Sequence, residues 1–325
     1  MPIISASNFT PKWPLKAAHL QTVLPTLFRV VDGVDYFRER ITTADDDFID
    51  LDFSLARPGQ PGRAAAILCH GLEGSADRAY MRGMARSLNR RGIDAIAYNY
   101  RGCSGETNRN PRFYTAGATD DLAEVLAAIR RDRGYSSLFL VGFSLGGNLV
   151  LKYLGERGVA LESDVKGGAA ISVPCDLASS AVEIHKPKNM LYHKRFLRML
   201  FEKVRSKKDR HPWFRDIDLS AIRTLNDFDN RVTAPLHGFR DAADYWRQSS
   251  CGQFLPAITV PALVINAADD PILGQACYPF EAARDNPTLF LEIPHWGGHV
   301  GFAGQLRDSE YWHESRTAEF LAALV

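Results

Sequence analysis

The sequence predicts an α/β protein in which helices flank a mostly parallel central sheet. Along most of the chain, short apolar runs alternate with stretches of helical pattern, as in strand–helix–strand crossover units. The interval 174–253 has no convincing strand pattern, and it is too long for a loop of a compact domain, so it indicates an inserted helical lid. We therefore expect the core to comprise residues 1–173 and 254–325. A chain of 325 residues has room for one such domain with its insertion, or for two ordinary domains.

The predicted elements run from an alternating strand to a closing helix. The first thirty residues are expected to be irregular, because Pro11, Pro14 and Pro25 would break a long helix. Residues 49–55 alternate between apolar and mostly polar positions, which predicts a half-buried strand. Further strands are predicted at 64–69, 94–99, 138–141, 168–172, 262–266 and 288–293, and helices at 80–91, 120–131, 145–155, 275–283 and 309–324.

Composition and cysteine usage exclude several classes of protein. The 39 Lys and Arg residues nearly balance 38 Asp and Glu residues, so the net charge gives no general attraction to nucleic acid. No apolar run approaches the ~18 residues of a membrane helix, and residues 1–9 lack the pattern of a secretory signal. The five cysteines are scattered without a CxxC pair, which argues against a disulfide framework and a zinc site. We expect a cytoplasmic protein with no metal or cofactor and no nucleic-acid partner.

The strongest chemical signal is the pentapeptide Gly-Phe-Ser-Leu-Gly at 142–146. It follows a predicted strand and precedes a predicted helix, which is the setting of a nucleophile elbow. In such a turn glycines flank the serine because larger side chains would collide with the strand or the helix. The alternative is an ordinary glycine-rich packing turn. The setting favours Ser144 as a nucleophile.

A serine hydroxyl needs a base to activate it and an acid to orient that base. Strand 262–266 leads into two candidate acids, of which Asp270 is favoured because it precedes a proline and is biased to an extended backbone. Asp269 remains the alternative. His299 follows two glycines after the last predicted strand and is the candidate base, whereas His295 is expected to have a structural or substrate-facing role.

Ester chemistry also needs donors for the oxyanion of a tetrahedral intermediate. The backbone N–H of Leu145, at the start of the helix after the serine, is one candidate. The loop after strand 64–69 supplies the second, the N–H of Leu72. We expect His70 in this loop to be structural, holding the loop by a hydrogen bond, rather than catalytic. Metal binding by His70 and His299 is not expected, because no further ligands cluster with them.

The lid carries a local excess of basic residues. Residues 186–210 contain ten Lys and Arg but only two acidic residues. Apolar residues recur between them at helical spacing, namely Phe196, Leu197, Leu200, Phe201 and Val204. This stripe fits either the internal core of the lid or an amphipathic surface in peripheral contact with a membrane.

The chain resembles the YheT-like branch of the α/β-hydrolases (the AB hydrolase-4 type). The motifs that carry the resemblance are HLQTVLP at 19–25, HGLEGS at 70–75, RGCSGE at 101–106, GFSLGGN at 142–148, DFDNRVTAPLHGF at 227–239, DDPI at 269–272 and GGHVGF at 297–302. The resemblance implies an α/β-hydrolase fold and a serine carboxylic-ester hydrolase with Ser144, Asp270 and His299 as its triad. Acylglycerols and other lipid esters are among the substrates that it suggests.

Two alternatives stay open at the level of sequence. The same acyl-enzyme could pass its acyl group to an acceptor other than water, or could form from a thioester, as in an acyltransferase or a thioesterase. A relative without catalytic activity could instead bind an acyl ligand. The acyl chain length, the alcohol and the oligomeric state are left open.

Overall fold

Nine strands form one sheet in the computed structural model, which describes residues 3–4 and 7–325. The strands are β1 (Ile3–Ile4), β2 (Phe37–Thr42), β3 (Phe48–Ser54), β4 (Ala64–Cys69), β5 (Asp94–Asn99), β6 (Ser137–Phe143), β7 (Val165–Ile171), β8 (Ala262–Ile265) and β9 (Leu289–Glu292). Their order is β1-β9-β8-β7-β6-β4-β5-β3-β2, and only the β2–β3 and β3–β5 pairs are antiparallel. The predicted mostly parallel sheet is confirmed.

The helices are α1 (Ala18–Phe28), α2 (Ala79–Asn89), α3 (Thr119–Asp132), α4 (Leu145–Arg157), α5 (Leu177–His185), α6 (Met190–Lys207), α7 (Leu225–Phe228), α8 (Ala234–His237), α9 (Ala242–Ser249), α10 (Phe280–Asp285) and α11 (Trp312–Ala322). Short 3₁₀ segments lie at Gly158–Ala160, Pro187–Asn189, Pro212–Asp216, Leu219–Ala221, Cys251–Ala257 and Gln275–Cys277. A π-helical turn, Asp229–Thr233, joins α7 to α8.

The sheet separates two apolar layers. Successive side chains of a strand point to opposite faces. In β4, Ile67 accordingly packs into the layer that contains α3 and α4, whereas Leu68 packs into the layer that contains α2 and α11. Both faces of the central strands are buried, as expected for a parallel sheet covered by helices.

The interval between β7 and β8 is helical throughout its regular elements, as predicted. Helix α6 contributes Leu197 and Val204 to a separate apolar cluster, against which Leu200 and Phe201 pack. Most of the predicted stripe is therefore internal lid core, while Phe196 faces the cavities described below. We call residues 174–253 the lid. The domain boundaries at 173/174 and 253/254 remain predictions.

The N-terminal region differs from the prediction. Residues 18–28 form α1 although Pro25 lies within it, and residues 3–4 pair with β9. Pro25 sits near the end of α1, so the helix loses only a late hydrogen bond, and packing of the helix against residues 297–303 offsets that loss.

The sequence pattern also missed β2, and the structure corrects the burial of β3. The strand β2 is rich in charged residues, which hid it. Arg38 of β2 forms an ion pair with two hydrogen bonds to Asp52 of β3, and Arg40 forms the same kind of pair with Asp50. Strand β3 is therefore buried on both faces rather than half-buried.

Candidate active site

The turn between β6 and α4 holds Ser144 in an unusual backbone conformation. Its φ is +52°, a region that residues other than glycine rarely occupy. A Cβ on Gly142 would lie 2.1 Å from the carbonyl oxygen of Gly146, and a Cβ on Gly146 would lie 2.2 Å from that of Cys69. Both flanking glycines are thus required by close backbone contacts, and the serine is presented at the carboxyl edge of the sheet.

The three residues predicted as nucleophile, base and acid are joined by hydrogen bonds. His299 Nε2 lies 2.9 Å from Ser144 Oγ, and His299 Nδ1 lies 2.8 Å from Asp270 Oδ2. A carboxylate only accepts, so Nδ1 carries the proton and Nε2 is free to accept from the serine hydroxyl. The Asp270 side chain is fully buried and that of His299 is 10% exposed. This arrangement can withdraw a proton from Ser144.

The two adjacent aspartates have different contacts. Asp270 touches His299, and its second oxygen accepts the backbone N–H of Ile272 at 2.9 Å. Asp269 accepts the backbone N–H of Gly298 at 2.9 Å, and burial raises the pKa of its carboxyl. Asp269 therefore holds the backbone next to His299, whereas Asp270 contacts the imidazole. His295 is exposed and packs on the neighbouring indole.

Helix α1 clamps the histidine loop. The hydroxyl of Thr22 accepts the backbone N–H of His299 at 2.9 Å. The amide of Gln21 accepts the N–H of Ala303 and donates to the carbonyl of the same residue. Sequence reasoning gave no role to these two residues. Their signal was the HLQTVLP motif, which lies entirely within the first thirty residues, a region expected to be irregular.

The loop after β4 and the start of α4 each offer one backbone donor to the site. The N–H groups of Leu72 and Leu145 have no hydrogen-bond acceptor among residues 3–4 and 7–325. Leu145 also begins α4, where the helix dipole favours negative charge. His70 fixes the loop, because its ring donates to the carbonyl of Gly71 and accepts the N–H of Tyr100. Burial lowers the pKa of His70 to about 3, so the ring is neutral.

Glu73 follows Leu72 and links this loop to the lid. Its φ of +51° is strained for a residue with a side chain. The hydroxyl of Tyr114 accepts the Glu73 N–H at 2.8 Å and donates to its carboxylate at 2.7 Å. Lys203 of α6 lies 3.1 Å from the same carboxylate. A charge pair that is shielded from water thus fixes the residue next to a candidate oxyanion donor.

The RGCSGE motif supplies further hydrogen-bond acceptors for Lys203. Lys203 donates to the carbonyl of Gly102 at 3.3 Å and to the thiol of Cys103 at 3.1 Å. Burial raises the pKa of the Cys103 thiol to about 11, so the thiol is protonated at neutral pH. The motif therefore has a structural role in lid attachment.

Two further polar contacts join the lid to the candidate site. The side-chain amide of Asn189 donates to the carbonyl of Pro271, next to Asp270, at 2.6 Å. Tyr192 of α6 lies 2.9 Å from the ring of His19 in α1, the helix that holds the histidine loop. One lid residue thus supports each loop around Ser144. Lys203 contacts the loop after β4, Asn189 contacts the loop of Asp270, and Tyr192 acts through α1 on the loop of His299.

Two cavities meet at Ser144 and Leu72. One, of about 130 Å³, extends under the lid between Phe196 and the helices around residues 225–246. The other, of about 410 Å³, is a groove between α1 and α6 that also exposes His299. The serine can therefore contact one ester with its two halves in separate spaces.

The described part of the chain contains neither a metal-binding cluster nor a membrane-spanning helix. No group of three or more His, Cys, Asp and Glu side chains there is placed to hold a metal ion. Among those same residues, no helix combines the length and apolar character needed to cross a bilayer.

A strand–serine–helix turn with a histidine and an acid at the carboxyl edge of a mostly parallel sheet defines the α/β-hydrolase class. The family model described as "alpha/beta hydrolase fold" matches residues 66–303. The chain belongs to the α/β-hydrolase family.

Comparison with individual relatives shows which branch of this family the chain resembles. The YheT protein of Escherichia coli (strain K12), provisionally named an esterase, is 33% identical over 99% of this chain and 95% of that protein. Phospholipase ABHD3 of Mus musculus is 28% identical over 100% of this chain and 80% of that protein. The resemblance to the YheT-like branch is confirmed. The Pyrococcus furiosus esterase Pf2001 shares the fold, with a TM-score of 0.58 at 17% identity over 91% of this chain and 98% of that structure.

Proposed function

We propose that this protein is a serine carboxylesterase that cleaves esters through an acyl-enzyme on Ser144. The single observation that supports this most is the hydrogen-bonded series from Ser144 through His299 to Asp270. The relatives named as esterase and phospholipase support ester hydrolysis as the reaction class. A cytoplasmic location is part of the same proposal.

Each residue then has a defined step. His299 takes the proton of Ser144 as its Oγ attacks the ester carbonyl carbon, and Asp270 stabilises the imidazolium that forms. The N–H groups of Leu72 and Leu145 stabilise the oxyanion. The bond to the alcohol breaks and His299 returns the proton to the leaving oxygen. Water then attacks the acyl-enzyme by the same route and releases the acid.

The two cavities suggest how an ester lies in the site. The cavity under the lid is lined mainly by apolar side chains such as Phe196 and Phe228, so it suits the acyl group. The groove between α1 and α6 opens beside His299, which must protonate the leaving alcohol, so it suits the alcohol half.

A fluorophosphonate probe and a series of p-nitrophenyl esters of increasing chain length test this function. We expect covalent labelling and release of free acid. Labelling with acyl transfer to an added alcohol or from a thioester, but without hydrolysis in water, would favour an acyltransferase or thioesterase. Acyl-ligand binding with neither labelling nor turnover would indicate the non-catalytic alternative.

We expect Thr22→Val to lower ester turnover by about tenfold to a hundredfold. The substitution leaves the backbone N–H of His299 without its acceptor, and an unsatisfied buried donor costs about 1–3 kcal/mol. At about 1.4 kcal/mol per factor of ten, a cost of this size in positioning His299 gives the stated range. Steady-state kinetics measure the loss in kcat.

Thr26→Val is the matched control, because this hydroxyl one turn away bonds only to the backbone of α1. Thr22→Ser keeps the acceptor and should restore most of the turnover. Equal losses for Thr22→Val and Thr26→Val would contradict a positioning role for Thr22.

We further propose that the rim of the α1–α6 groove rests on an anionic lipid surface. Leu27, Phe28 and Leu191 stand at or beside this opening with 61%, 66% and 83% of their surfaces exposed. Lys194 and Arg195 on α6 are also exposed. Apolar side chains flanked by basic ones are typical of helices that lie in the membrane interface.

Co-sedimentation with phosphatidylglycerol vesicles tests this surface at low and high salt. Each basic residue near an anionic surface contributes about 1 kcal/mol, so changing Lys194, Arg195 and Arg198 to glutamine should weaken binding by about a hundredfold. Salt should weaken the wild type similarly. The control is Arg63→Gln with Lys166→Gln, at the opposite edge of the sheet. Absence of binding at low salt, or equal loss in the control, would contradict the proposal.

A further inference from the structure

The cavity under the lid contains polar groups that the proposed mechanism does not use. Ser144 and Leu72 line its core side, while Asp229, His237 and Tyr245 line its lid side. The remaining lining is mostly aliphatic and aromatic. A carboxylate in such a place is costly unless something hydrogen-bonds to it.

Asp229 is only partly satisfied by the protein. The hydroxyl of Thr233 donates to its Oδ1 at 2.6 Å, and the indole N–H of Trp246 donates to its Oδ2 at 2.8 Å. A carboxylate offers about four acceptor positions, so two remain. Within residues 3–4 and 7–325 no cation lies at ion-pair distance from it. Burial raises the pKa of Asp229 to about 6, which leaves it mainly ionised above neutral pH.

The backbone of residues 225–237 places one row of side chains along the cavity. Leu225, Asp229, Thr233 and His237 recur every four residues, and all four line the cavity. An α-helix repeats about every 3.6 residues, so positions four apart drift steadily around its axis. The wider π turn at Asp229–Thr233 offsets that drift, and such turns are frequent at functional sites. All of these residues except Leu225 belong to the DFDNRVTAPLHGF motif at 227–239, to which the proposed mechanism gives no role.

Two more groups around the cavity have unused hydrogen-bonding capacity. The hydroxyl of Tyr245 accepts the N–H of Ala116 at 3.0 Å, and in the described chain nothing accepts its own proton. His237 Nε2 is buried without a partner among the described residues. Burial, reinforced by Arg112, lowers the pKa of His237 to about 4, so its ring is neutral.

The hydrogen-bonding groups around the cavity suit a neutral hydroxyl. Lys203 also lines the cavity, but it is paired with Glu73. A hydroxyl could donate to Asp229 and accept from Tyr245 or His237, so it would pair groups that the protein leaves partly unused.

We infer that the lid wall forms a polar subsite for an acyl group that carries a hydroxyl. This inference rests on the proposed esterase function and names the acyl half of its substrate. A site with buried hydrogen-bonding groups discriminates strongly against an analogue that lacks the matching group, because those groups are then left unpaired.

Matched pairs of p-nitrophenyl esters test the subsite at pH 7.5: butyrate with 3-hydroxybutyrate, hexanoate with 6-hydroxyhexanoate, and octanoate with 8-hydroxyoctanoate. The readout is the ratio of kcat/KM for the hydroxyacyl ester to that for the alkyl ester. We expect the wild type to favour the hydroxyacyl ester in at least one pair by about tenfold or more. Asp229→Leu and Asp229→Asn should lower that ratio at least tenfold while plain alkyl esters are still cleaved.

Asp227→Asn is the control, since Asp227 caps α7 by accepting backbone N–H groups and does not line the cavity. Its ratio should equal that of the wild type. A wild-type ratio below about tenfold in every pair overturns the subsite, even if the Asp229 variants fail to fold. So does a ratio that the Asp229 variants leave unchanged. Failure of the wild type to cleave any of the esters would overturn the proposed esterase function instead.

Discussion

Ser144→Ala is expected to lower ester turnover by about 10⁶-fold and to abolish fluorophosphonate labelling. Loss of a nucleophilic serine removes the covalent route, and only the oxyanion donors and substrate binding remain to accelerate hydrolysis. The substitution removes one hydroxyl at a half-buried position, so the fold should persist. Labelling followed by mass spectrometry of the modified peptide, with circular dichroism for the fold, measures both effects.

Ser180→Ala is the matched control for this substitution. Ser180 lines the cavity under the lid together with Ser144. Its hydroxyl pairs with the thiol of Cys277 at 3.2 Å rather than with a histidine. It should retain labelling and most of the turnover. Persistent labelling of the Ser144→Ala protein at another serine would refute the assignment of the nucleophile.

Asp270→Asn should lower kcat by about 10⁴-fold, the loss seen in other serine triads when the acid becomes an amide. The amide can donate to Nδ1 and so favours the tautomer in which Nε2 carries the proton and cannot accept from Ser144. Steady-state kinetics on a p-nitrophenyl ester measure the change.

Asp269→Asn is the internal comparison, and its effect should stay within about tenfold. An asparagine at this position can still accept the N–H of Gly298 through its amide oxygen. If the two effects were reversed, Asp269 rather than Asp270 would be the acid that orients His299.

The sequence predicted the parallel part of the sheet well because its strands and helices are dictated by local pattern. Apolar runs such as residues 64–69 and 94–99 match β4 and β5 in full. The predicted helix at 275–283 was less accurate. It is split into a 3₁₀ turn and α10 around Pro279, which cannot continue a helix.

Elements that depend on distant partners were not visible in the sequence. Helix α1 is tolerated with Pro25 because it packs on a loop more than 270 residues away in the chain. The charged strand β2 is stable because Arg38 and Arg40 find aspartates on the neighbouring strand. Periodicity contains neither kind of information.

The candidate site also combines residues that the sequence predicted with residues that only the structure reveals. Residue types and chain order were enough to select Ser144, Asp270 and His299, which the structure brings into hydrogen-bond contact. The residues that support the site, such as Thr22 beside His299 and Lys203 beside Glu73, come from segments whose sequence indicated no chemical role. Their roles follow only from three-dimensional proximity.

The three lid contacts make the insertion inseparable from the rest of the enzyme. Lys203 contacts Glu73 in the loop that contains Leu72, and Asn189 contacts Pro271 beside Asp270. Tyr192 contacts His19 of α1, the helix that packs on the loop around His299. A shortened protein that joins residue 173 directly to residue 254 would therefore lose one supporting contact from each of these loops. We expect that it would not behave as a hydrolase with an uncovered active site. For the same reason, exchanging this lid with that of a relative would transfer substrate preference only if the receiving loops were exchanged with it.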